Sequence, residues 1–103
     1  MQIQHGDVLI WGIAELPKHA VKVEREGGRL IIARGEATGH NHAIAEKGAI
    51  LYELKGDLYL EVTEPVTITH EEHKVLPIPE GIYQIGRVKE YDYIQDMERR
   101  VVD

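Results

Sequence analysis

The chain of 103 residues contains no cysteine, no serine and no phenylalanine. Without cysteine no disulfide can staple the fold, and no thiolate can hold a metal or attack a substrate. That suits a reducing compartment. Without serine the serine-nucleophile triads are excluded outright. Basic charge is scarce as well: 12 Lys and Arg against 18 Asp and Glu leave a net charge of −6. A protein that grips duplex DNA by its phosphates carries a basic face, so duplex DNA is not an expected partner. RNA is left open, since a local groove near Arg34, Lys74 or Arg87 would serve. Long apolar runs are also missing. The apolar stretch 8–13 lacks a basic flank and is too short for a secretory signal or a membrane span. The expectation is a cytoplasmic protein with no membrane partner.

What the sequence does have is strand signal. Residues 7–13 form a short apolar run of strand length, and residues 21–26 alternate apolar with polar. Gly27-Gly28 follows, then the apolar run 29–33, which predicts a β-hairpin about a tight turn. Residues 49–54, 58–63, 66–69, 75–78 and 82–91 read as further strands, separated by Lys55-Gly56-Asp57, Glu64-Pro65 and Pro79-Glu80-Gly81. The tail, 92–103, reads as irregular with a helical turn. No linker divides the chain. The fold class expected is all-β: a single domain over residues 1–103, built of about eight short strands as a small barrel or sandwich.

Four of the six histidines fall in two tight pairs. His40 and His42 stand two apart, and on an extended segment such residues share a face. His70 and His73 bracket Glu71-Glu72, a spacing that suits a turn on which both rings converge. Four neutral imidazoles offer the nitrogen ligands that zinc, nickel, iron or copper accept, and Glu46, Glu53, Glu71 or Glu72 adds an oxygen. The segment 70–73 is not the zincin signature, which needs His-Glu-x-x-His on a helix. His5 and His19 stand alone and are read as incidental.

These residues resemble the cupin superfamily. Gly35 or Gly39, then His40-Asn41-His42, three residues and Glu46 are similar to the first cupin motif. Pro79-Glu80-Gly81, two residues and position 84 are similar to the second. The resemblance spans residues 35–84. It implies a small β-barrel in which two His, a Glu and a later His hold one divalent metal. Gln84 stands where that later His belongs, so the barrel is implied more directly than the ligand set. The paired-His segments also resemble those of small bacterial and phage-borne proteins, a likeness that brings no activity with it.

Three functions follow as expectations. The first is a metal-binding β-barrel holding a divalent ion (zinc, nickel, iron or manganese) through His40, His42, His70, His73 and Glu46. It would act as a hydrolase or oxidoreductase on a small-molecule substrate, with His42, His70 and His73 as the catalytic set. The second is a metal-independent enzyme using histidine as general acid and base, such as an RNA-cleaving nuclease. The third is a non-catalytic binding or phage accessory module. A homo-oligomer is compatible with all three.

Overall fold

In the computed structural model, residues 2–34 and 40–87 are described. Alternation decides which side of each strand meets the core. In β7 (Asp57–Val62) Leu60 and Val62 are buried, and in β6 (Ala49–Leu54) Ala49 and Leu51 are. The same spacing of two repeats at Val8 and Ile10 in β2 (Val8–Gly12) and at Tyr83 and Ile85 in β10 (Gly81–Arg87). These strands join β1 (Gln2–His5) and β3 (Val21–Lys22) in a six-stranded sheet of order β1-β2-β10-β7-β6-β3.

A second sheet has the order β4-β5-β8-β9, from β4 (Leu30–Arg34), β5 (Asn41–Ile44), β8 (Val66–His70) and β9 (His73–Ile78). Leu30, Ile32, Ile44, Val66, Ile68 and Ile78 come from it to the common core. All the pairings are antiparallel. The architecture is therefore an all-β sandwich: among the described residues the two sheets do not close into a barrel. Among the described residues no helix is long and apolar enough to cross a membrane.

Two expectations need correction. The turn at Gly27-Gly28 forms, with both glycines at positive φ and the Glu26 and Arg29 backbones hydrogen-bonded to each other. The hairpin ladder stops there. Val21 and Lys22 pair with Glu53 and Tyr52 of β6, and the Val23 amide donates to the Leu51 carbonyl, so the chain crosses from one sheet to the other at this turn. The second correction is β1, an unforeseen strand of Gln2-Ile3-Gln4-His5 that pairs with β2 across Gly6-Asp7. The last strand is described to Arg87; Gly35, Gly39, residues 88–91 and the expected tail lie outside the described residues.

Candidate metal centre

The four-stranded sheet lines up three histidines. Ala43 of β5 pairs with Thr69 of β8, so in the same register His42 stands opposite His70. His70 in turn pairs with His73 of β9 across the two-residue turn Glu71-Glu72. Cross-strand partners present their side chains on one face. The result is a row of imidazoles across three neighbouring strands, with ring centroids 4.4 Å apart for His42–His70 and 4.6 Å for His70–His73. One ring nitrogen of each lies within 4.8 Å of the others.

A β-bulge completes the row. Ile68 pairs with Leu76, a register that would set Lys74 against His70, but the ladder slips between Ile68 and His70. The slip puts an extra residue in β9 and brings His73 opposite His70 instead. A bulge leaves backbone groups out of the ladder, and the Lys74 carbonyl, inside it, accepts a hydrogen bond from His5 Nε2 at 2.7 Å.

His5 comes from the other sheet. It closes β1, is 2 % exposed, and its Nδ1 lies 2.9 Å from Nδ1 of His42, itself 3 % exposed. The neighbouring turn is shaped for this approach. Gly6 has φ +63°, and a Cβ there would stand 2.5 Å from His73 Nε2, so the β1–β2 turn lies directly against the His73 ring. Asp7 follows. Its Oδ1 is 3.6 Å from His42 Nε2, and its Oδ2 accepts from Arg87 at 2.5 Å.

Burial is the main force lowering the pKa of His42, to about 4, with His70 and His5 adding to it and Asp7 opposing. Burial lowers that of His5 as well, against the hydrogen bond to the Lys74 carbonyl. Both rings are therefore neutral near pH 7, which is the form that binds metal.

The predicted residues divide. His42, His70 and His73 come together. His40 precedes β5 and joins from the side, its ring 5.7 Å from that of His70 and its Nδ1 3.3 Å from Glu72 Oε1. With His70 and Glu71 it forms a second, more exposed trio of ligand atoms within 4.8 Å. The Glu71 carboxylate is held below its usual range, first by a hydrogen bond from its own amide and then by His40, His70 and Arg29.

Glu46 lies outside both trios: its carboxylate accepts from the amide and hydroxyl of Thr67. Gln84 alternates with the core residues Tyr83 and Ile85, so it points to the opposite side of its sheet from the interior. The cupin ligand set is thus not the set that assembles here. His5, read as incidental, is at the centre of the cluster, while His19 is exposed between β2 and β3 and takes no part in these ring contacts. The only sequence signal for His5 was its strand-like alternation with Ile3, ahead of a Gly-Asp turn.

With this geometry established, comparison with known families places the chain. Residues 4–88 match the model of DUF8820, described as a domain of unknown function. The chain belongs to that family. The match takes in His5, His40, His42, His70 and His73, so the whole cluster falls within the DUF8820 domain. No curated protein and no solved structure matches the chain.

Proposed function

We propose that this domain binds one divalent transition-metal ion through His42, His70 and His73. The observation that carries the reading is the row of three imidazoles set by strand register. Three protein nitrogens and one remaining position are the pattern of a catalytic zinc site, and the same donors suit nickel, iron or copper. Asp7 supports it from outside the ligand set: its Oδ1 lies 3.6 Å from His42 Nε2, too far for a hydrogen bond that would occupy that nitrogen, and its negative charge favours a cation there.

One contact opposes binding. The Glu72 amide donates to His70 Nδ1 at 3.0 Å, which leaves the proton of the neutral ring on Nε2. An ion on Nδ1 displaces that hydrogen bond, and an ion on Nε2 sends the ring proton to Nδ1, where it too breaks the bond from the Glu72 amide. Losing one such hydrogen bond costs about 0.5–1.5 kcal/mol, which the nitrogen–metal bond has to offset.

With the fourth position open, the ion would activate water or polarise a substrate. Untagged protein should take up one equivalent of Zn, Ni, Fe or Mn, and its Tm should rise with the metal. His42→Ala, His70→Ala and His73→Ala should each abolish the rise. A flat Tm with all four metals would sink the proposal.

The Glu72–His70 bond favours one second reading. A ring with its proton on Nε2 beside one with a free lone pair is an acid–base pair. Activity that survives EDTA and is lost in His42→Ala would select it.

A further inference from the structure

We infer that His5 is a positioning residue for the metal centre: it holds His42 in the Nδ1–H tautomer and so turns the His42 Nε2 lone pair outward to the ion. This rests on the metal reading above and adds to its three histidines a fourth, from the opposite sheet.

The inference follows from donors, acceptors and burial. The Lys74 carbonyl can only accept, so His5 Nε2, 2.7 Å away, carries a proton and donates. Both rings are almost wholly buried, and burial disfavours the charged form. A neutral His5 with its proton on Nε2 has a lone pair on Nδ1. The atom it meets at 2.9 Å is His42 Nδ1, which must therefore be the donor. A neutral His42 with a proton on Nδ1 has its lone pair on Nε2. Each step leaves one choice. The sequence Lys74 carbonyl, His5, His42 is a one-way chain of hydrogen bonds, and its open end is a metal-binding nitrogen.

The arrangement also works in reverse. An ion on Nε2 withdraws electrons from the His42 ring and makes its Nδ1–H a better donor to His5. Metal-bound histidines commonly give their second N–H to a carboxylate, a backbone carbonyl or water, and losing that acceptor costs about 10–100-fold in affinity. Here that acceptor is a neutral histidine whose own tautomer is fixed by a main-chain oxygen.

Two substitutions separate positioning from packing. His5→Phe keeps an aromatic ring and removes both polar atoms. His5→Gln offers an acceptor oxygen to His42 and a donor amide to the Lys74 carbonyl, at nearly the span of the two imidazole nitrogens. The tautomer of His42 is read from ring ¹⁵N shifts in the metal-free protein, and the Kd for Zn²⁺ by competition with a chelating dye. Wild-type protein should show His42 protonated on Nδ1, and so should His5→Gln. His5→Phe should show a mixture or the other tautomer and bind Zn²⁺ about 10–100-fold more weakly, with His5→Gln recovering most of the loss.

Wild-type His42 protonated on Nε2 would overturn the inference without any variant being needed. So would wild-type affinity in a folded His5→Phe protein. Wild-type protein that takes up no Zn²⁺ but keeps the Nδ1–H tautomer overturns the metal reading, and with it the purpose given to His5.

Discussion

Each histidine in the cluster owes its behaviour to a neighbour. His42 is pushed to about pH 4 chiefly by burial, whereas a histidine in the unfolded chain titrates near 6.5. As pH falls, the unfolded chain takes up this proton first. The stability due to a neutral His42 is therefore complete above pH 6.5 and is lost between 6.5 and about 4, and His5 shifts in the same direction. In metal-free protein the His42 Cε1–H resonance should not begin to titrate until pH is well below 6, with a midpoint near 4; a midpoint near 6.5 would contradict its burial. Which residues would cluster was half legible. The pairs 40/42 and 70/73 announced themselves by spacing. His5 did not, because its two partners lie 37 and 69 residues away, and spacing rules see only local geometry.

At the scale of elements, turns and a bulge do the positioning. The β1–β2 turn rests on His73 through Gly6, whose φ of +63° disfavours any side chain. Gly6→Ala should cost about 1–3 kcal/mol of stability from the left-handed backbone. The added Cβ meets a ring at the end of a side chain, not a backbone atom, so His73 rather than the sheet should give way. Metal affinity should then fall more than the chemical-denaturation midpoint implies, measured on the same variant. The strands were legible from alternation and turn residues, including the short turn between His70 and His73. Their partners were less so. Residues 21–26 alternate as a hairpin arm would, but alternation specifies a face and not a neighbour, and β6 claimed Val21 and Lys22. The slip that exchanges His73 for Lys74 opposite His70 leaves no mark in composition.

Across the whole molecule the crossing between sheets needs its own support. Arg25 lies in it. Its Nη1 donates to the Gly28 and Ala45 carbonyls and its Nη2 to those of Glu46 and Ala49, at 2.7–3.4 Å. One planar fork thereby ties the turn before β4 to the connection between β5 and β6. Lysine has the charge but not the fork. Arg25→Lys should lower stability by about 1–3 kcal/mol, read as a reduced urea midpoint with an unchanged slope. The all-β class was legible because many independent signals agreed on it. Barrel against sandwich was not, since that depends on whether the edge strands meet, and the histidine row, a matter of register, depends on the same long-range pairing.

The bond from His5 to the bulge ends on a main-chain oxygen, and this has a consequence for descent. A carbonyl is present whatever side chain position 74 bears, so that position is free to drift. Positions 5 and 42 have no such freedom, since the donor and acceptor there are side-chain atoms that must match. Across DUF8820 sequences, residues 5 and 42 should change together or not at all, while residue 74 varies with its neighbours on the surface.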